Sequence, residues 1–301
     1  MTFESAETHK PLALNWILDG PDYPAPAKLN LFLHVVGRRD DGYHLLQTAF
    51  RFLDYGDVLR FQVRRDDLIR RVNALAGVSP DSDLVVRAAR ALQSATGATS
   101  GADIELVKRL PIGGGVGGGS SDAATTLLAL NHLWKTKLSR HQLMEIGLSL
   151  GADVPVFVYG KSSWAEGVGE RLQTIDIPPA WYLVLVPPVA VSTKDIFSAP
   201  NLTRNTKPIK LTPFSAIQVV LDQSQNDLEP VTVKCYPEIA NHLAWLSQFG
   251  NARMTGSGCS VFSVFPDELS ARNALNLLPS GMKGFVAAGC DRHPLLELVE
   301  S

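Results

Sequence analysis

Residues 111–122 constrain this chain more than any other segment, because six of these twelve residues are glycine. Glycine lacks a Cβ atom, so consecutive backbone N–H groups in such a run can approach a negatively charged ligand closely. Residues 104–110 before the run have a strand pattern, and residues 123–134 after it place apolar side chains at helical spacing. Ser120, Ser121 and Asp122 are residue types favoured at a helix start. The segment therefore predicts a strand, an anion-binding loop and a helix whose N-terminus faces the anion.

Two common phosphate-binding patterns do not account for this loop. Gly114 and Gly119 have the separation of a Walker A motif, but Ser120 stands where that motif needs lysine. A Rossmann G-x-G-x-x-G string is present in residues 113–118, yet residues 133–138, about twenty positions on, offer no acid for a ribose hydroxyl. A flexible glycine linker is disfavoured, since the run lies between a strand and a well-patterned helix.

Composition narrows the class of protein. Lys and Arg together number 28 and Asp and Glu 30, a formal net charge of −2 that argues against coating nucleic acid or an anionic membrane. The apolar runs are shorter than the roughly 20 residues of a membrane span. The three cysteines include no C-x-x-C pair, and the seven histidines show no metal-ligand spacing. With no secretory signal pattern at the start, we expect a cytoplasmic protein of bacterial type.

The pattern of apolar residues predicts two α+β domains. Residues 1–24 have an irregular, proline-punctuated pattern and are interpreted as an N-terminal extension, followed by domains at 25–175 and 176–301. The expected strands lie at residues 28–35, 45–53, 58–63, 104–110, 154–158, 181–186, 253–255, 261–265 and 284–288. The expected helices lie at residues 84–92, 123–134, 143–150, 216–221, 239–249 and 268–278. Residues 55–57 are expected to form a turn, and residues 187–212 a loop-rich connection.

Lys28 and Asp153 indicate catalysis only when they are considered together with a phosphate-binding loop. Taken alone, Lys28 is an ordinary lysine at the start of a strand, and Asp153 is more often a helix or turn cap than a catalyst. Together they supply what phosphoryl transfer to an alcohol requires, a carboxylate for the hydroxyl proton and a cation for the developing charge. Loop aromatics at Tyr43 and Phe197 would suit stacking on a base, although most such residues are packing anchors.

Five blocks of sequence resemble the GHMP family of small-molecule kinases. The similarity runs from about residue 24 to the C-terminus, and the glycine run fits that family's phosphate loop, P-x-x-x-G-[LV]-x-x-[GS]-S-S. Within the family, the blocks are most similar to the branch that acts on a CDP-linked methylerythritol. The blocks are PAKLNLFL (26–33), DGYHLLQT with LDYGD (41–57), RLPIGGGVGGGSSDAA (109–124), LGADVPVF with AEGVGE (150–170) and RMTGSGCSVF (253–262).

This resemblance implies a fold and a reaction. The family has an α+β, two-domain architecture with its active site in the cleft between the domains. The implied activity is transfer of the ATP γ-phosphoryl group to the 2-hydroxyl of the CDP-linked alcohol, a step of non-mevalonate isoprenoid synthesis. The implied cofactors are ATP and Mg²⁺. The partners are then two small molecules, with no nucleic acid, no membrane and no obligate protein partner.

The resemblance also carries roles onto individual residues. Lys28 and Asp153 match the catalytic pair, Asp153 as the base and Lys28 as the group that holds it in line. Tyr43, His44 and Phe197 match a cytosine pocket, and Asn30 and Thr193 match polar substrate contacts. The nucleotide-binding positions are Lys108, Pro111, Ile112, Gly113, Gly114, Gly115, Val116, Gly117, Gly118, Gly119, Ser120 and Ser121. Metal ligands are left open, with Ser121 considered.

Two departures and three alternatives accompany this hypothesis. Asp83 stands where related kinases commonly have asparagine beside the adenine, and a carboxylate cannot donate a hydrogen bond to a ring nitrogen. Val116 replaces the usual leucine. The alternatives are a GHMP kinase for another alcohol such as homoserine or mevalonate, a non-catalytic nucleotide-binding protein, and a dinucleotide oxidoreductase.

Overall fold

The computed structural model describes residues 17–299 except 74, 76, 77, 80 and 212–216. Within these residues a ten-stranded sheet is joined to helices in a mixed α+β architecture, as predicted. The strands are β1 (Tyr23–Arg38), β2 (His44–Arg64), β3 (Ile69–Arg71), β4 (Gly101–Val107), β5 (Ser163–Gly167), β6 (Arg171–Thr174), β7 (Trp181–Leu185), β8 (Arg253–Met254), β9 (Val261–Phe265) and β10 (Gly284–Cys290). The α-helices are α1 (Leu84–Thr96), α2 (Gly118–Leu133), α3 (Arg140–Leu150), α4 (Val154–Tyr159), α5 (Thr193–Ser198), α6 (Ile217–Gln223), α7 (Glu229–Cys235), α8 (Pro237–Leu246) and α9 (Glu268–Asn276).

The long antiparallel pair β1–β2 organises the sheet. The turn expected at residues 55–57 is wrong, because these residues lie within β2. β2 runs without interruption through Gly56, which lies opposite Pro26 of β1. A methyl group at Gly56 would lie 2.2 Å from the carbonyl oxygen of Ala25. Glycine is therefore needed here for the close approach of two strands rather than for a turn. β1 begins at Tyr23, inside the segment interpreted as the N-terminal extension.

Helices α1 to α4 share one core with this part of the sheet, in which α2 packs on β1 and β2 and α3 packs on the other three helices. Leu92, Leu127 and Phe157 are fully buried in one core cluster, each worth roughly 1.5–3 kcal/mol of transfer free energy. The expected strand at residues 154–158 is wrong, because these residues form helix α4. A five-residue apolar run fits a buried strand and a buried helix equally well. A proline in the first turn and a left-handed Gly160 at the end favour the helix.

The remaining strands extend the sheet in the order β3-β4-β2-β10-β7-β9-β8. β10 pairs with β2 and with β7, so it joins the two halves of the sheet. The segment expected to be a loop-rich connection contains helix α5, which bears Thr193 and Phe197. α6 is described from Ile217, and the expected start of that helix at residue 216 lies outside the described residues. The division into domains at residue 175 stays a prediction. Among the described helices, none has the length and apolar character that crossing a membrane demands.

Candidate active site

The glycine run forms an anion-binding helix start. Gly113, Gly115 and Gly117 have φ angles of 74°, 77° and 77°, values that side-chain-bearing residues rarely adopt. Helix α2 begins inside the run, with Gly117 as its N-cap and no side chain capping it. The first intrahelical bond is donated by Ser121 N to Gly117 O at 2.8 Å. The N–H groups of residues 118–120 therefore have no acceptor within the helix and, with the helix dipole, attract an anion.

A second glycine turn, residues 255–260, supports the loop from the other half of the sheet. Ser260 N donates to Gly114 O at 3.1 Å. A methyl group at Gly115 would lie 2.3 Å from the carbonyl oxygen of Gly258, so the two backbones touch. The strand–turn–strand pattern of this segment is confirmed, and the turn fixes the geometry of the phosphate loop.

Lys28 and Asp153 form an ion pair next to the glycine run. Lys28 Nζ lies 3.1 Å from Asp153 Oδ2, with the lysine side chain 3% exposed and the aspartate side chain 40% exposed. Lys28 N donates to Val116 O at 2.9 Å, and Lys28 Nζ donates to Asn30 Oδ1. Asp153 occupies the N-cap position of α4 but makes no side-chain capping bond. Its carboxylate is therefore held by the lysine and not by the helix.

Lys108 lies beneath the start of α2 in a buried triad with two carboxylates. Its ammonium group pairs with Asp57 and, at 2.7 Å, with Asp122 Oδ2. Burial lowers the pKa of Lys108, but Asp122 and Asp57 outweigh burial and raise it above its usual value. Burial, together with Asp57, raises the pKa of Asp122 to about 8 against the opposing effect of Lys108. Sequence reasoning missed Asp57, although it lies in the LDYGD block, and gave Asp122 no role beyond the helix start.

Asp83 has both carboxylate oxygens engaged. Oδ1 caps α1 by accepting from Val85 N at 3.0 Å, and Oδ2 pairs with Arg71 Nη1 at 2.8 Å. Arg71 is itself 93% buried, since its side chain is 7% exposed. Its Nη2 has no hydrogen-bond partner within the described residues. Arg71, which sequence reasoning missed, therefore holds a buried donor ready for a ligand.

His44 and Phe197 form an aromatic pair in the lining of the same cleft. The rings of His44 and Phe197 have centroids 5.0 Å apart at an interplanar angle of 33°. Tyr43 is 66% exposed beside them. Burial, followed by the charges of Arg204 and Arg38, lowers the pKa of His44. The His44 ring is therefore biased towards its neutral form.

One cleft of about 1440 Å³ is lined by residues from each of these clusters. Gly118 approaches Lys108, Gly117 approaches Lys28, and Gly256 approaches Asn30. Thr193 Oγ1 then meets Ser257 Oγ at 2.8 Å at the start of α5. Of the residues implicated by sequence, the cleft is lined by Lys28, Asn30, Tyr43, His44, Lys108, Pro111, Ile112, Gly113, Gly114, Gly115, Gly117, Gly118, Gly119, Ser120, Asp153, Thr193 and Phe197. Val116 and Ser121 do not line it and are fully buried.

The described residues contain no group of three or more His, Cys, Asp or Glu side chains arranged to hold a metal ion. The hydroxyl of Ser121, in the first turn of α2, is buried and has no hydrogen-bond partner in the described part of the chain. A divalent cation at this site would therefore take few ligands from the protein.

Comparison with known proteins identifies related sequences and folds. Residues 83–161 match the N-terminal domain model of the GHMP kinases, and residues 214–284 match their C-terminal model. A 4-diphosphocytidyl-2-C-methyl-D-erythritol kinase of Thiobacillus denitrificans is 60% identical over 92% of this chain and 98% of its own length. One from Nitrosospira multiformis is 58% identical over 92% of this chain and 94% of its own.

Solved structures agree with the sequence relatives. A crystal structure of 4-(cytidine 5'-diphospho)-2C-methyl-D-erythritol kinase matches with a TM-score of 0.78 and 32% identity, covering 89% of this chain and 99% of its own. A mevalonate kinase structure matches with a TM-score of 0.65 but 14% identity, over 90% of this chain and 100% of its own, which shows a shared fold alone.

Proposed function

This chain belongs to the family of 4-diphosphocytidyl-2-C-methyl-D-erythritol kinases, and on that premise we propose how its residues carry out the reaction. It is an ATP-dependent small-molecule kinase of the non-mevalonate isoprenoid pathway. The acceptor is the 2-hydroxyl of 4-diphosphocytidyl-2-C-methyl-D-erythritol, and the products are its 2-phosphate and ADP.

The position of the Lys28–Asp153 pair carries this proposal. The pair lies between the phosphate loop, through the contact of Gly117 with Lys28, and the acceptor end, through Asn30 and the turn at residues 255–260. A hydroxyl bound there has the loop's anion site on one side and the aromatic pair on the other. Phosphoryl transfer depends mainly on such positioning, because its transition state needs little covalent help from the protein.

Asp153 accepts the proton of the substrate, and Lys28 balances the negative charge. The carboxylate of Asp153 accepts the proton of the 2-hydroxyl as the new O–P bond forms and the bond between the β,γ-bridging oxygen and the γ-phosphorus breaks. The bridging oxygen keeps that electron pair and leaves on ADP. Lys28 Nζ, 3.1 Å from Asp153 Oδ2, holds the carboxylate in place and faces the negative charge of the moving group.

We assign the nucleotide to the end of the cleft formed by α1 and α2. The N–H groups of residues 118–120 would bind the phosphates, while Lys108 supports the helix start from below. Leu75, Val78 and Leu106 line the cleft, as does Asp83. Since Asp83 has no free donor, the free Nη2 of Arg71 would donate to the adenine ring in its place.

Mg²⁺ fits this site as a companion of the nucleotide. Ser121 is fully buried and does not line the cleft, so the ligands of the ion would be phosphate oxygens and water rather than this hydroxyl. When bound, the ion neutralises charge on the phosphates of ATP. We place the reaction in the cytoplasm, consistent with three cysteines that are all free.

The acceptor end suits a base-bearing substrate. Tyr43 and Phe197 would stack on the cytosine, His44 would bond its edge, and Asn30 and Thr193 would contact the sugar alcohol and diphosphate. A kinase for mevalonate or homoserine is the nearest alternative, but a small acid has no use for an aromatic clamp.

A coupled ADP-release assay tests the proposal. The wild type, with ATP and Mg²⁺, is expected to turn over the CDP-linked substrate and to leave homoserine and mevalonate unreacted. Asp153→Asn should lower kcat by ~10²–10⁴, the usual effect of losing a general base. Asp176→Asn, at an exposed aspartate outside the cleft, is the matched control and should change nothing. Turnover of another alcohol without turnover of the CDP-linked substrate would contradict the acceptor assignment.

A further inference from the structure

Arg204, which neither the sequence motifs nor the catalytic pair involve, links the two halves of the aromatic pair. Its Nε donates to His44 Nε2 at 3.0 Å. Its Nη2 donates to the carbonyl oxygens of Phe197 at 3.0 Å and Ala199 at 2.7 Å. Its Nη1 donates to Leu202 O at 3.1 Å. One guanidinium group therefore holds the end of α5, where Phe197 lies, against the start of β2, where His44 lies.

These contacts determine which nitrogen of His44 carries a proton. A guanidinium group only donates hydrogen bonds and stays protonated in proteins. His44 Nε2 must therefore be an acceptor without a proton, so the neutral ring carries its hydrogen on Nδ1. Within the described residues, no hydrogen bond engages His44 Nδ1. The other cation close to the ring, Arg38, uses its Nε to bond Gly42 O and makes no bond to the imidazole.

We propose that Arg204 is a positioning residue that fixes His44 as a hydrogen-bond donor and thereby makes the site select cytosine over uracil. This inference rests on the proposed function, since it assumes that a nucleobase lies against His44 and Phe197. The N3 atom of cytosine is an acceptor, whereas N3 of uracil carries a hydrogen. A fixed Nδ1–H donor therefore pairs with cytosine and opposes uracil, and a site built to hydrogen-bond one group rejects the mismatched one strongly.

The forked shape of the guanidinium is essential to this role. Arg204 contacts the histidine ring and three carbonyl oxygens at the same time, using all of its nitrogen atoms. A lysine at this position would keep the positive charge but lacks the planar set of donors. The pair Arg204→Lys and Arg204→Met therefore separates geometry from charge.

The first test reads the tautomer of His44 directly in the free protein. ¹⁵N NMR of the imidazole should show hydrogen on Nδ1 in the wild type and in Arg38→Gln, which removes a nearby charge but leaves the bond to Nε2. Arg204→Met should show a mixture of the two neutral tautomers. Hydrogen on Nε2 in the wild type would overturn the inference, and this result does not depend on whether any variant folds.

The second test measures base selection with CDP-linked and UDP-linked forms of the substrate. For Arg204→Met we expect KM for the CDP-linked substrate to rise ~10–100-fold, the cost of leaving a hydrogen-bond partner unsatisfied once the base covers this half-buried site, while kcat changes far less. The preference for cytosine should fall at least ~10-fold in Arg204→Met, and Arg204→Lys should not restore it. Unchanged selectivity in a folded variant would refute the role of Arg204. A wild type inactive on the CDP-linked substrate would instead refute the proposed function.

Discussion

Replacing Gly117 by alanine tests whether the glycine run and Lys28, the proposed partner of the catalytic base, are mechanically coupled. Gly117 has φ 77°, so any side chain there incurs the left-handed backbone penalty of roughly 1–2 kcal/mol. The new methyl group would also lie 2.8 Å from Phe157 Cζ and 3.0 Å from Lys28 Cγ. Both neighbours are buried, and overpacking of this kind costs about 1–3 kcal/mol. The total expected loss of unfolding free energy is about 2–5 kcal/mol.

Gly97 provides a matched control for the backbone part of that loss. It has φ 67° at the C-cap of α1, and a methyl group there would have nothing within 4 Å. Gly97→Ala should therefore lose roughly 1–2 kcal/mol through the backbone alone. The difference in unfolding free energy between the two variants measures the cost of the contact with Phe157 and Lys28.

The activity of the two variants should differ more than their stability. Displacement of Lys28 disturbs its 3.1 Å contact with Asp153, and a shift of about 1 Å at reacting groups can lower the rate ~10²-fold. We expect kcat in the ADP-release assay to fall by about that factor in Gly117→Ala and to stay at the wild-type value in Gly97→Ala. Urea unfolding of both variants supplies the stability difference. Equal stability losses, or a kcat for Gly117→Ala within about threefold of wild type, would refute the coupling.

Three further outcomes follow from buried charged and titratable groups. Arg71→Met should raise KM for ATP ~10-fold with little change in kcat. Arg70→Met, on the same strand but at a side chain that is 54% exposed, should leave KM for ATP unchanged. Equal changes of KM in the two variants would contradict the donor role of Arg71. Lys108→Met should lower the unfolding free energy by about 3–5 kcal/mol in urea titration, because it leaves its carboxylate partners unpaired and buried; a loss below about 1 kcal/mol would contradict this. Burial, followed by Arg140, lowers the pKa of His293 to about 3 from 6.5, so the unfolded state binds the proton more readily and stability falls as pH drops from 6.5 towards 3. His293→Asn should lose less stability than wild type over that range in urea titrations, and parallel losses would count against the assignment.

The glycine run could be predicted from sequence alone, since it depends on local composition, whereas Lys28 and Asp153 are paired only through the phosphate loop and the family resemblance, and their catalytic role stays a prediction. Six glycines before a helical pattern predict an anion site without any knowledge of the rest of the fold. The errors at residues 154–158 and at Gly56 have different physical causes. The apolar run at residues 154–158 is too short for its periodicity to distinguish helix from strand. Gly56 has the composition of a turn, but its role is set by a neighbouring strand about thirty residues earlier in the chain.

The supporting partners could not be found from sequence because they are distant along the chain. Arg204 and His44 are separated by 160 residues, and Lys108 and Asp57 by 51. Nothing local to Arg204 marks it, since its neighbours lie in a segment that predicts only a loop. Once folded, such residues determine what the predicted ones can do: Arg204 selects the tautomer of His44.

The distribution of charge along the cleft explains how a protein with a net charge of −2 can hold two polyphosphates. At the nucleotide end and the catalytic centre, Arg71, Lys108 and Lys28 are each paired with a carboxylate. Their charge is largely compensated, so we expect the ATP phosphates to rely on the backbone N–H groups at the start of α2 and on the proposed Mg²⁺. At the acceptor end, Lys194 and Arg204 line the cleft and form no ion pair within the described residues. ATP binding should consequently depend on backbone geometry, and thus on the glycines, whereas binding of the CDP-linked substrate should weaken more steeply as salt screens exposed charges.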